Sequence, residues 1–333
     1  MLNREQKLNT KLFDAMSEKQ AMRKGFGEGL VKAGKANSNV VALCADVTES
    51  VFMHLFRAAF PERFLEIGIG EQNMASVASG MAAMGKIPFI GSYGVFSPGR
   101  NWEQVRTTIC YNNVPVKIVS SHVGVSVGPD GGSHQALEDI ALMRSLPNTV
   151  VISPCDAQET EKATLAMVGN NMPTYMRLTR EKVPEITTAE TPFEIGKAQV
   201  FFDPIVGKPD VAIIATGTMV YPALVAAREL EKVHIAVRVI NLSTIKPLDE
   251  KIIMQTAREA GVIVTAEEHQ LAGGMGSAIA EFLSGVYPTP IEFVAVHNAF
   301  GESGTAAELW EKHNLTSNGI IEAVKRVMLR KLK

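Results

Sequence analysis

The stretch FLEIGIGEQNMASVASGMAAMGKIPFI, Phe64–Ile90, reads as strand, turn, helix, turn, strand. Phe64-Leu65-Glu66-Ile67 is a short apolar run closed by Gly68-Ile69-Gly70. Ile87-Pro88-Phe89-Ile90 is a second run, and residues 71–84 between them carry a helical pattern. A helical crossover between two such runs makes them parallel strands of one sheet. The same texture extends outward. Val40–Ala45, Val114–Ser120, Val150–Ile152 and Thr174–Met176 are further apolar strands, and residues 18–34, 98–112, 134–145 and 156–169 are helical patterns. Strands apolar throughout, alternating with amphipathic helices, belong to a sheet covered on both faces.

From Glu181 to Pro209 the alternation breaks, with Pro184, Pro192, Pro204 and Pro209 and one edge strand around Ala198–Phe202. A second series follows. Val211–Ala215, His234–Ile240, Val262–Val264 and Ile291–Val296 are extended, and Tyr221–Lys232, Asp249–Ala260, Met275–Leu283 and Ser317–Leu329 are helical. The expected fold class is α/β, with two open, mostly parallel-sheet domains. The expected organisation is a domain over 15–185, a linker over 186–209 and a second domain over 210–333.

With 333 residues, 46% of them hydrophobic, the chain can build two cores. Its 33 Lys and Arg nearly balance 35 Asp and Glu, for a net charge of −2, which argues against nucleic acid or a membrane surface as partner. Cys44, Cys110 and Cys155 form no CxxC pair and sit in apolar runs, so they read as buried free thiols of a reducing compartment. The first residues are polar without a signal-peptide core, and no apolar run is long enough for a bilayer. A cytoplasmic location is expected.

In such sheets ligands lie beyond the carboxyl ends of the strands. The loops there are Asp46–Ser50, Gly68–Glu71, Gly91–Arg100, His122–His134 and Arg177–Arg180. Glu71 opens a helix, where any first-turn acid suits the dipole. Its neighbours Ile67, Ile69, Met74 and Val77 also make it a carboxyl that could share a proton strongly. The run His122–Asn148, HVGVSVGPDGGSHQALEDIALMRSLPN, places His122, Asp130 and His134 around a glycine-rich loop, with Ser133 as a helix N-cap. Turn-forming is one role for these residues; proton transfer or binding of sugar hydroxyls is the other. Their spacing matches no zinc pattern, so no metal site is expected. In GSYGVFSPGR, Gly91–Arg100, Tyr93 and Phe96 are either core aromatics or the walls of a slot for a flat heteroaromatic ring. Arg23, Ser50, Arg100 and Arg180 sit at element ends, where guanidinium groups can clamp phosphate. LAGGMGSAIAEFL, from Leu271, lacks the acidic residue of a dinucleotide fingerprint and reads as a turn into a helix.

Together these residues resemble the transketolase family from about Arg23 to the last helix. The most specific parts are Gly70-Glu71-Gln72-Asn73, the run from His122 through Asp130 to His134-Gln135, and Leu137–Asn148. The resemblance implies that Glu71 bonds the aminopyrimidine of thiamine diphosphate and favours the tautomer that deprotonates the thiazolium carbon. It implies that Phe96 and Tyr93 wall the pyrimidine. Asp46 matches an acidic loop residue near the cofactor and the subunit contact. By the same resemblance His122, Asp130 and His134 bind the sugar near its scissile bond, and Arg23, Ser50, His134 and Arg180 bind its phosphate; His122 also counts as catalytic. Two departures stand out: Gly99, where some members carry an aromatic residue, and Pro129, where an acidic residue is usual. The family's Gly-Asp-Gly motif, which holds the diphosphate through Mg2+ or Ca2+, does not occur in this chain. The resemblance therefore implies a separate amino-terminal, diphosphate-binding transketolase subunit in a 2+2 heterotetramer acting on sugar phosphates. Competing readings are the β subunit of a 2-oxoacid dehydrogenase, a deoxyxylulose-phosphate-synthase-like fragment and a non-catalytic assembly subunit.

Overall fold

The computed structural model describes residues 1–14 and 18–331. The expected domain limits at 15 and 333 lie outside the described residues. The strands are β1 (Lys19–Ala21), β2 (Val40–Cys44), β3 (Phe64–Glu66), β4 (Ile87–Tyr93), β5 (Lys117–Ser121), β6 (Val150–Ile152) and β7 (Thr174–Arg177). They continue with β8 (Lys182–Pro184), β9 (Gln199–Phe202), β10 (Val211–Ala215), β11 (Val237–Asn241), β12 (Thr244–Lys246), β13 (Ile263–Gln270) and β14 (Ile291–Val296). One sheet has the order β12-β6-β7-β5-β4-β2-β3 and the other β14-β13-β10-β11-β9. Every pairing in them is parallel except β12 on β6 and β9 on β11. The α/β class with two mostly parallel sheets is thus present. β2 and β4 are buried along nearly their whole length because helices cover both faces.

The large sheet changes winding direction between β2 and β4. β3 lies to one side of β2, and β4, β5 and β7 to the other. That switch point opens a crevice at the carboxyl ends, and the loops after β2, β3, β4 and β5 meet there. The two halves are also stitched together. β12 comes from the second half yet pairs with β6 of the first sheet, with Thr244 opposite Ile152. Leu8, Leu12, Val125 and Leu137 share one core with Ile213, Ala215 and Val264 of the second half.

Several expected elements shift, each for a tertiary reason. The helix expected over 18–34 begins at Met22, because Lys19–Ala21 pairs antiparallel with Lys182–Pro184. The helix expected over 134–145 spans Asp139–Arg144 alone, and Ser133 caps nothing. Its hydroxyl instead meets His134 Nδ1 at 2.9 Å. Gln135 Nε2 donates to the carbonyls of Val125, Gly128 and Glu302 at 3.1, 3.3 and 2.9 Å, so a side chain does locally what helix bonds would do. The helical run expected over 98–112 is shorter, Trp102–Cys110, and widens into a π-helical turn from Val105. β13 runs on to Gln270, well past the expected Val264.

Candidate active site

Glu71 is the first residue of the helix Glu71–Ala83, and Gly68, at φ +73°, turns the chain into it. Its side chain is 3% exposed. Oε2 accepts a hydrogen bond of 3.0 Å from Arg100 Nη1, and Asn101 Nδ2 donates to the Glu71 backbone carbonyl at 3.0 Å. The sequence surrounds Glu71 with apolar groups and assigns Arg100 to phosphate; in the structure the two form a pair. The Arg100 guanidinium also lies over the Phe96 ring, 4.7 Å from its centroid. Tyr93 stacks on Phe96 at 6.1 Å and on His122 at 3.9 Å. His134 presents its ring edgewise to Phe96 at 5.5 Å and to Tyr93 at 6.3 Å. A buried carboxylate, an aromatic face and two imidazoles thus form one continuous surface. Gly99 adds no third ring, and it has no space for one: a Cβ there would lie 2.1 Å from the Val95 carbonyl oxygen. Arg100 is the next residue along and covers Phe96 in its place.

A second cluster borders the first. Arg23, the second residue of the helix Met22–Ala36, donates from Nη1 to Ser50 O and from Nη2 to Arg180 O, each at 2.7 Å. Its Nε is buried and has no hydrogen-bond partner among the described residues. Arg180 Nη1 donates to Val127 O at 2.7 Å. These cations act on His122. Burial first, then Arg23, Arg180 and His134, hold the His122 imidazole down at about 3. The ring is therefore neutral at physiological pH, with Nδ1 2.9 Å from Ser121 Oγ. Its backbone adopts φ +55°, which turns the side chain out of the strand direction at the end of β5.

Asp46 and Asp130 stand apart. Both are exposed, and neither side chain forms a hydrogen bond among the described residues. Asp46, at φ +58°, is fixed through its backbone N–H, which donates to Glu66 Oε1 at 2.7 Å. Glu66 also accepts from Thr48 Oγ1 and Gly68 N, so it ties the Asp46–Ser50 loop to the loop leading to Glu71. Asp130 ends the short 3₁₀ segment Val125–Asp130, and Pro129 beside it is exposed.

The sequence reading missed the buried polar frame behind these loops. Asp139 accepts from Tyr175 Oη and from Arg177 Nε, both at 2.7 Å, and from Arg177 Nη2 at 3.1 Å. The charged LEDIALMR pattern around Asp139 was visible, but its partners lie on a strand 36 and 38 residues away. His269 accepts from Ala141 N at 3.5 Å. The glycine-rich turn before Met275 does lead into a helix, and its anion position is filled from within. Glu267 accepts from Met275 N and Gly276 N at 2.7 and 2.8 Å. The three cysteines are free and buried. Among the described residues there is no cluster of three potential metal ligands, and no helix is long and apolar enough to cross a membrane.

Residues 18–185 match the transketolase pyrimidine binding domain, and residues 203–320 match the transketolase C-terminal domain. Over 312 residues the chain is 39% identical to a putative transketolase C-terminal section from Methanocaldococcus jannaschii, covering 93% of this chain and 96% of the relative. A 6-deoxy-6-sulfo-D-fructose transketolase subunit from Clostridium sp. is 36% identical over 319 residues, 96% of this chain and 98% of the relative. The solved structure titled "Split gene transketolase, inactive beta4 tetramer" is similar at TM-score 0.87 and 42% identity, covering 94% of this chain and 99% of that one.

Proposed function

The chain belongs to the transketolase family, and from that premise we propose that it is the pyrimidine-side subunit of a thiamine-diphosphate-dependent transketolase. In this reading it moves a two-carbon ketol unit from a ketose phosphate to an aldose phosphate. It does so in a 2+2 assembly with a separate subunit that holds the diphosphate and its Mg2+. The observation that carries the reading is the contiguity of the buried Glu71 carboxylate with the Phe96–Tyr93–His122 stack. That donor set fits a flat, protonatable heteroaromatic ring: a carboxylate for a ring nitrogen, and aromatic faces for the ring itself.

When bound, thiamine diphosphate supplies the nucleophilic carbon that carries the two-carbon unit. Glu71 holds a proton at the pyrimidine nitrogen, and Arg100 keeps its carboxylate directed. Phe96 and Tyr93 cover the ring and exclude water from it. Asp46, exposed at the start of its loop, serves the cofactor side of the subunit contact. Neutral His122 donates to or accepts from a sugar hydroxyl near the reacting carbonyl, and His134 and Asp130 hold further hydroxyls. Arg23, Arg180, Ser50 and His134 take the phosphate. Arg23 and Arg180 are anchored to one another through the backbone, so little ordering is needed when the anion arrives.

The test mixes this chain with a diphosphate-binding candidate that carries Gly-Asp-Gly, thiamine diphosphate and Mg2+. Xylulose 5-phosphate and ribose 5-phosphate should yield sedoheptulose 7-phosphate and glyceraldehyde 3-phosphate. Turnover of pyruvate without ketol transfer would overturn the reading.

A further inference from the structure

The loop that carries His122 and Asp130 is held by the second half of the chain. The end of β13 shifts register against β14 between Ala266 and Gln270 and reaches the segment after this loop, where Gln270 N donates to Leu137 O at 2.9 Å. Glu268, two residues before Gln270, is 2% exposed. Its Oε1 accepts from Ser126 N at 2.7 Å, and its Oε2 accepts from Thr218 Oγ1 at 2.7 Å. Its backbone carbonyl accepts from Arg177 Nη2 at 3.1 Å. The fit is also steric. Gly124 has φ +80°, and a Cβ there would stand 2.4 Å from the Glu268 carboxyl. The loop is thus moulded against this one side chain at two contacts, Gly124 and Ser126. The next residue, Val127, offers its carbonyl to Arg180 Nη1. Arg180 in turn offers its own carbonyl to Arg23.

We infer that Glu268 is a positioning residue for substrate binding: its carboxylate sets Gly124–Val127 in the conformation that fixes His122 on one side and Arg180 on the other. The inference rests on the reading of His122 and Arg180 as groups that bind the sugar phosphate. It gives the C-terminal domain a part in the reaction. A charge-assisted hydrogen bond to a buried backbone N–H is stronger than a neutral one. Without the carboxylate, the Ser126 N–H is left buried and unpaired, and the loop must move to find water. A displacement of this loop at His122 and Arg180 weakens sugar-phosphate binding. Glu71, Phe96 and Tyr93 lie on other loops and keep their hold on the cofactor.

Glu268→Ala and Glu268→Gln are compared in the complete enzyme, assembled with its diphosphate-binding subunit. Glu268→Ala should raise KM for xylulose 5-phosphate about tenfold or more while leaving thiamine diphosphate affinity within about twofold. Glu268→Gln keeps an acceptor oxygen for Ser126 and should bring KM back to within about threefold of the parent. An unchanged KM in folded Glu268→Ala overturns the inference. So does a parallel loss of sugar and cofactor affinity that glutamine does not rescue. Should Glu268→Ala fail to fold, Thr218→Val removes one contact from Oε2 and should raise KM in the same direction by a smaller factor; no rise overturns the inference. Hydrogen–deuterium exchange on the full chain reads the loop without any activity. Amides over 123–128 should exchange faster in Glu268→Ala and at the parent rate in Glu268→Gln. Equal exchange in parent and Glu268→Ala overturns the positioning role. Parent enzyme without ketol transfer overturns the proposed function instead, and the exchange result still decides whether Glu268 holds the loop.

Discussion

At the scale of single residues, charge and burial divide the work between Glu71 and His122. Glu71 is paired with Arg100, whose guanidinium lies over the Phe96 ring, so its buried carboxylate borders the aromatic face through that pair. Glu71→Ala should lower ketol transfer by about a hundredfold or more, in line with the loss of a positioned proton-transfer group. It should also remove hydrogen–deuterium exchange at the thiazolium carbon in the assembled enzyme; retained exchange would refute the role. His122 is a different kind of group. With burial and two guanidinium groups holding it at about 3, its imidazole signals should not titrate between pH 5 and 8. A titration by proton NMR near the ordinary histidine value would show that neither burial nor the two arginines hold it down. Glu71, His122, Tyr93 and Phe96 stand out as candidates in the sequence because each lies in a glycine-bearing loop at a strand's carboxyl end. The pairing of Arg100 with Glu71 does not, because 29 residues separate them and nothing in either local pattern announces the contact.

At the scale of elements, the sequence reported the strands well because their apolar runs are continuous and buried on both faces. It failed where a side chain far away in sequence takes over the backbone's hydrogen bonds. The helix expected from residue 134 starts at Asp139 because Gln135 and Glu268 hold the preceding loop, and because Asp139 is drawn into the Tyr175–Arg177 network. That network is buried, so removing one partner leaves a charge without compensation. Arg177→Met should destabilise the chain by about 3 kcal/mol or more, read as a lower denaturation midpoint. A change below about 1 kcal/mol would mean that water or another cation satisfies Asp139. Gly99 makes the complementary point. Gly99→Ala forces a Cβ against the Val95 carbonyl and should cost about 1–3 kcal/mol, even though the position is a mere loop glycine by sequence. An aromatic side chain therefore cannot simply be transplanted there to widen the ring wall.

For the whole molecule, the join between the two halves is the part the sequence left blank. It contains β12 on β6 and a buried acidic group where the helix Ala157–Gly169 meets the second sheet. Asp156 accepts from the N–H groups of Glu159, Ile186 and Thr187, while Glu159 accepts from Cys155 N and Asn241 Nδ2. Glu185 is buried nearby. Burial, reinforced by Asp156, raises Glu159 to about 7 and Glu185 to about 8. Both folded values lie above that of an unfolded glutamate, so the folded state binds more protons than the unfolded one across this range. Their stabilising effect is complete below the unfolded value near 4.5 and is lost as pH rises through 7 to 8. His122 and His269, depressed to about 3 and 4, act in the opposite sense but only below the ordinary histidine value of 6.5. Glu267, pushed up to about 7 by burial, adds to the two glutamates in the same direction. Lys117, lowered to about 7 by burial, opposes them in this same window, but it is one group against three, so between pH 6.5 and 8.5 stability should fall by on the order of 1–3 kcal/mol. Glu159→Gln and Glu185→Gln together should abolish this fall, as measured by urea midpoints at the two ends of the range. An unchanged slope in the double variant would mean that the acids at the join are already ionised and that the two halves are held together by packing and by β12 instead.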